Sequence, residues 1–192
     1  MPIRLLTSGG GTTTIQPTTS ASSVTLTVPS VNANVVTTGD TASVTQAMLG
    51  SGLAGTGPAF SAYLATNQSY TTPNYTKVTF QTEEYDTASC YDNTTNYRFT
   101  PNVAGYYLFT WNVQGNATNR STAYLYKNGS AYKSGVDSIG NGSNNNSSNG
   151  SAMAYANGST DYFEIYFQGN INNTLVGSSV ATFFQGYLAR AA

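Results

Sequence analysis

The chain has 192 residues, of which 39% are apolar and only 8% charged, with a formal net charge of −1. That balance leaves no electrostatic footprint for nucleic acid or an anionic membrane surface. Histidine is absent and Cys90 is the single cysteine. Within one chain this excludes a zinc site, a Ser-His or Cys-His nucleophilic pair, an imidazole pH switch and an intrachain disulfide.

The charged share is about a third of the ~25% typical of soluble domains. Disorder is nevertheless not expected, because 15 tyrosines and 8 phenylalanines recur in regular alternation. The length suits one main domain with an appendage.

The first 57 residues are rich in Thr, Ser and Gly and hold no aromatic residue. MPIRLLTSGGG does not read as a secretory signal, since two leucines fall short of an apolar run of roughly 7–15 residues. No stretch approaches the roughly 20 apolar residues of a membrane-spanning helix. The expectation is a soluble protein made in a cytoplasm, reaching the outside by lysis or as part of a particle. TTTIQP is a short candidate strand stopped by Pro17. SVTLTVPS is a clearer one, with Val24, Leu26 and Val28 on one face, and it ends at Pro29. Burying three such side chains contributes a few kcal/mol at about 25 cal/mol per Å². Ordering the segment costs on the order of 1–2 kcal/mol per residue. An arm of this kind therefore needs contacts from neighbouring subunits or a larger surface. DTASVTQAML predicts a short helix over residues 40–49, with Asp40 as N-cap and Gly50 as stop. The expected organisation is an attachment arm at 1–39, a helix and hinge at 40–57, and a head at 58–192.

From Pro58 onward, strands and turns alternate. AFSAYLA opens, and TKVTFQT follows with Val78 and Phe80 inward. TNYRFTP stops at Pro101. GYYLFTWNVQG is the longest run, with Tyr107, Phe109, Trp111 and Val113 on one face. STAYLYKNGSAYKSG is a hairpin whose Asn128-Gly129 pair suits the positive φ angles of a two-residue turn. GNGSNNNSSNG, residues 140–150, reads as an exposed polar tip before the strand SAMAYANG. DYFEIYFQGN points Phe163, Ile165 and Phe167 inward, and SVATFFQGYLARA closes the chain. Eight or more short strands without a helix among them predict an all-β sandwich or jelly roll.

Several of these segments, in this order, resemble the globular head of complement C1q and the related tumour-necrosis-factor-like jelly rolls. PAFSAYLA resembles the family's opening strand. NYRFTPNVAGYYLFTWNV resembles its Phe-Thr-x-Pro-x-x-Gly-x-Tyr-x-Phe block through Phe99, Thr100, Gly105, Tyr107 and Phe109, although the proline stands one place early at Pro101. YLYKNG resembles the Lys-Asn-Gly hairpin, and FFQGYLARA the final strand. The resemblance covers residues 58–192 and implies a tight homotrimer about a threefold axis. Tyr106, Phe183 and Tyr187 are then the candidates for subunit contact, the alternative being packing within one subunit. The amino-terminal pattern TSGGGTTTIQP to SVTLTVPSVNANVVTTGD resembles the amino-terminal modules of tailed-phage structural proteins.

Glu83, Glu84, Asp86 and Asp92 form the acidic cluster of the chain. They are weak calcium candidates, since some family members bind that ion, but their spacing is not that of an EF-hand and a solvated turn is favoured. No structural metal and no cofactor are expected. Paired carboxylates across a cleft, which glycoside hydrolysis requires, are not suggested by acids confined to one loop. Cys90 has no histidine base and reads as a packed thiol. The Asn-x-Ser/Thr sequons at Asn93, Asn128 and Asn146 are chance products of composition. The polar loops 117–121 and 141–150 are either solvated tips or contacts for glycan. The expected function is non-enzymatic: a homotrimeric structural protein of a tailed-phage virion, made in the host cytoplasm. A capsid decoration or cement protein held on the major capsid protein by its arm is favoured. The alternative is a short tail-fibre adhesin whose head loops bind host-surface glycan.

Overall fold

A computed structural model describes residues 3–6, 12–15, 57–115, 120–140 and 146–192. The chain divides into two units, Met1–Ser43 and Val44–Ala192. In the first, β1 (Ile3–Leu6) pairs antiparallel with β2 (Thr12–Ile15). The strand at β2 was legible in TTTIQP, whereas its partner in IRLL was not. The arm residues Val24, Leu26 and Val28 and the helix expected at 40–49 lie outside the described residues.

The second unit is a sandwich of two antiparallel sheets. One sheet runs in the order β4-β15-β9-β16-β3-β6, with β13 added beside β9. Its strands are β3 (Ala59–Tyr63), β4 (Gln68–Tyr70), β6 (Thr82–Asp86), β9 (Ala104–Gly115), β13 (Asn146–Asn157), β15 (Asn173–Leu175) and β16 (Phe183–Ala191). The facing sheet runs β11-β10-β14-β8-β7, with β12 beside β10 and β5 beside β14. These strands are β5 (Thr76–Lys77), β7 (Tyr91–Asp92), β8 (Arg98–Phe99), β10 (Arg120–Lys127), β11 (Ser130–Ser134), β12 (Ser138–Ile139) and β14 (Phe163–Gly169). No helix occurs among the described residues.

Alternation decides what enters the core, because successive side chains of a strand point to opposite faces. On β9 the inward set is Tyr107, Phe109, Trp111 and Val113, all buried; on β14 it is Phe163, Ile165 and Phe167. The two sheets close on aromatic contacts. Phe60 from β3 stacks on Phe99 from β8, with ring centroids 4.3 Å apart, and meets Phe184 edge-on at 4.9 Å. Residues 100–103 carry the chain from β8 in one sheet to β9 in the other. Gly105 at the end of this crossing has no room for a side chain. A Cβ there would lie 2.4 Å from the Arg190 carbonyl oxygen and 2.7 Å from Leu188 Cδ1.

The hairpin at β10–β11 turns on Asn128 and Gly129, with φ of 52° and 76°, as the Asn-Gly pair predicts. The Asn128 side chain donates to Asp161 Oδ1 and accepts from the Tyr162 amide, tying this turn to the neighbouring loop. Three expectations about strand extent are corrected. Val78 and Phe80 are buried as read, but the regular strand there is only Thr76–Lys77. Residues 146–150 are not part of a loop. They open the strand β13, with Asn146 and Ser148 buried. Their side chains bond inward: Ser148 Oγ accepts from the Ala123 amide, and Asn146 Nδ2 donates to Ser121 Oγ. Composition alone reads such residues as a tip because it cannot show those partners. Likewise Arg120 and Ser121 begin β10 rather than ending a loop.

Candidate subunit interface

The outward face of the β13-β9-β16-β3 sheet carries large apolar side chains. Register places Tyr155 of β13 opposite Tyr106 of β9. Met153 stands opposite Leu108, and Leu108 opposite Tyr187 of β16. The exposed fractions are 44% for Tyr106, 50% for Tyr187 and 53% for Met153. Phe183, half-buried, lies on the same face, opposite Asn112 and Tyr63. The structure therefore brings Tyr106, Phe183 and Tyr187 onto one surface, on adjacent strands.

Sequence reasoning missed Met153 and Tyr155. The signal was present in AMAYAN, whose pattern is the reverse of an ordinary half-buried strand. β13 buries Ala154 and Ala156 and leaves Met153 and Tyr155 exposed. Burying a methionine or tyrosine body releases far more free energy than burying an alanine methyl, at about 25 cal/mol per Å² of apolar surface. Small residues face inward here because the space is already filled, as Ala154 lies opposite Tyr107 in the ladder.

The acidic cluster does not converge. Glu83, Glu84 and Asp86 lie on β6, a strand rather than a turn, and Asp92 on β7. Asp86 accepts from the amides of Ala88 and Tyr91. Asp92 accepts from the amides of Thr94, Thr95 and Asn96 and from Asn96 Nδ2. The Thr95 amide, helped by its neighbours, holds the Asp92 carboxyl well below the usual range. Glu84 accepts from Ser61 Oγ at 2.7 Å. Burial, and then the nearby Asp86, pushes Glu83 up. These carboxylates serve the backbone and their own neighbours. Among the described residues, no three acidic, cysteine or histidine side chains are placed to share a metal ion. Cys90 is buried against the Ala88 carbonyl, and burial pushes its thiol up.

Comparison with known proteins adds the family. The C1q domain model matches residues 59–189. The globular domain of zebrafish complement 1qA superposes with a TM-score of 0.55 at 19% identity, covering 71% of this chain and 99% of that one. Murine APRIL at pH 5.0 does so with 0.55 at 13% identity, covering 69% and 98%. Eiger TNF from S. frugiperda gives 0.50 at 10%, covering 70% and 92%. No curated protein matches the sequence. C1q domain proteins are typically non-enzymatic, and C1q and TNF family members typically form homotrimers. With the family model spanning more than half of its length and the two sheets in place, the chain belongs to the C1q domain family.

Proposed function

We propose that the chain works as a homotrimer through the Tyr106, Met153, Tyr155 and Tyr187 face, and that the trimer is a structural protein displayed on a tailed-phage virion. Within that reading it is a capsid decoration or cement protein, and the amino-terminal arm carrying Val24, Leu26 and Val28 grips the major capsid protein. The observation that supports the trimer is the inverted strand β13, which buries alanines and exposes methionine and tyrosine. Such a strand is economical only when a second subunit covers its outer face. The particle assignment is supported by the amino-terminal sequence pattern.

Two measurements test this reading. Light scattering on the purified protein is expected to give three times the 20.2 kDa of one chain, and a stable monomer overturns the trimer. Deleting residues 1–39 is expected to leave a folded, trimeric head that no longer attaches to particles. Normal occupancy by the truncated protein overturns the arm as anchor. A second reading, a short tail-fibre adhesin that binds host-surface glycan, is favoured by a polar cleft on the opposite sheet, lined by Thr72, Arg120, Thr122, Tyr124, Gln168 and Asn170. Immunogold labelling of intact particles separates the two: the head shell supports cement, the tail supports the adhesin.

A further inference from the structure

The outward face of the other sheet carries its own tyrosine cluster. Tyr124 of β10 stands opposite Tyr166 of β14. Tyr126 stacks on Tyr166 with ring centroids 4.1 Å apart. The exposed Tyr75 meets Tyr124 edge-on with centroids 5.3 Å apart, and Tyr126 at a tilt, 6.4 Å away. Lys77 and Glu164 form an ion pair of 2.5 Å on the same face, with Lys77 Nζ 5.9 Å from the Tyr166 ring centre. Each ring is thus held by another, while Tyr124, Tyr126 and Tyr166 stay half-exposed.

Beside Tyr124 a cleft of about 300 Å³ opens, lined by Thr72, Arg120, Thr122, Tyr124, Gln168 and Asn170. Arg120 is paired with Asp137 and donates to its Oδ1 from Nε at 2.8 Å. Thr122 Oγ1 donates to the same oxygen at 3.1 Å. Gln168 Nε2 donates to the Pro73 carbonyl at 3.1 Å.

The chemistry of this lining is selective. The cationic group is already neutralised by its carboxylate, so the cleft does not select an anion. The remaining groups are too polar to select an apolar molecule. Asn and Gln amides each donate and accept, and the Arg–Asp pair sets donors beside acceptors, which is what neighbouring hydroxyls of a polyol require. A tyrosine ring supplies an apolar face for C–H bonds. The volume lies at the small end of the range for ligand sites.

We propose that this cleft binds a neutral saccharide, one or two pyranose units in length, such as the end of a surface polysaccharide. Its place in the head suits that role. Pro58, where the chain enters this unit's sheets, bonds through its carbonyl to the Leu188 amide, at the pole of β9 that holds Gly105. The cleft lies at the opposite pole, where Ser121 faces Gly169. The inference bears on the adhesin reading, yet it rests on the cleft alone and not on where the trimer sits.

Saturation-transfer NMR on the full chain tests it with glucose, galactose, mannose, N-acetylglucosamine, maltose and lactose, and with sialyllactose as an anionic probe. At least one neutral sugar is expected to bind with a Kd of about a millimolar. Gln168→Ala and Asn170→Ala are each expected to weaken it about tenfold or more, with unchanged melting temperature. The inference is overturned if no neutral sugar binds, if only sialyllactose binds, or if the bound sugar is insensitive to both substitutions. A monomeric protein that binds sugar in this cleft would overturn the trimer and leave this site standing. Labelling at the head shell together with sugar binding would remove the tail-fibre reading and still leave it standing.

Discussion

Tyr106 and Tyr155 meet edge to face across β9 and β13, ring centroids 5.5 Å apart at 62°, and both stand exposed on the same sheet face. The contact restricts both rings, which lowers the entropic cost of ordering them against a partner. Replacing Tyr155 by Arg adds three like-signed charges to a threefold contact. The expected outcome is a monomer by light scattering with a retained β circular-dichroism spectrum. A trimer of normal stability would place the contact on another face.

Gly150 of β13 lies under the tryptophan. A Cβ there would sit 2.3 Å from Trp111 Cζ2. Gly150→Ala must push the indole or the strand aside, and overpacking of this kind costs about 1–3 kcal/mol. Urea unfolding is expected to show that loss, whereas Ser151→Ala, at an exposed neighbouring position, is expected to be neutral. Equal midpoints for the two variants would show that Trp111 has slack.

Phe60 joins the sheets, contacting Phe99 and Tyr91 on one side and Phe184 on its own. Phe60→Ala is expected to destabilise the head by about 3–5 kcal/mol, the range for deleting a buried phenylalanine ring. Calorimetry gives the comparison with wild type. A loss below about 1 kcal/mol would mean that the sandwich collapses around the gap.

Asp92 sets an acid limit to stability. Its folded pKa is depressed, chiefly by the Thr95 amide, below an unfolded value of about 3.9. The stabilisation is therefore complete above that value and is lost as pH falls through it toward the folded pKa. Melting temperature is expected to drop below about pH 4, and Asp92→Asn is expected to flatten that drop. An unchanged acid limb in the variant would assign it to other carboxylates.

The long strands were legible because each keeps one partner geometry over its whole length. β9 and β14 alternate without interruption, and the residues read as inward on them, from Tyr107 to Val113 and from Phe163 to Phe167, are buried. The short elements between Thr76 and Phe99 were legible only in part: β5 and β8 fall inside the runs TKVTFQT and TNYRFTP, whereas β6 and β7 were not read as strands. Each pairs for only two to five residues, and β3 and β6 shift register between Ser61 and Ala62, so no period survives long enough to show. The outward aromatic face of β9, β13 and β16 was half legible. Tyr106 and Tyr187 announce themselves in aromatic-rich runs, whereas Met153 and Tyr155 need the register of β13 against β9. The cleft was legible only at Arg120, which falls in the polar segment 117–121, because Thr72 and Gln168 join it only through sheet pairing and a loop.

At one pole of the head, the Leu188 amide bonds to the Pro58 carbonyl and the Ala192 amide to the Ala104 carbonyl. The beginning and the end of the head are therefore neighbours. Such a topology accepts circular permutation, because a short linker joins residues 192 and 58 without crossing the sandwich. New ends opened at the tip that carries the exposed Val180 would emerge at the far pole, close to where β16 begins. Cargo fused there would be carried on the distal end of the head, while the aromatic face of β9, β13 and β16 kept an uninterrupted chain.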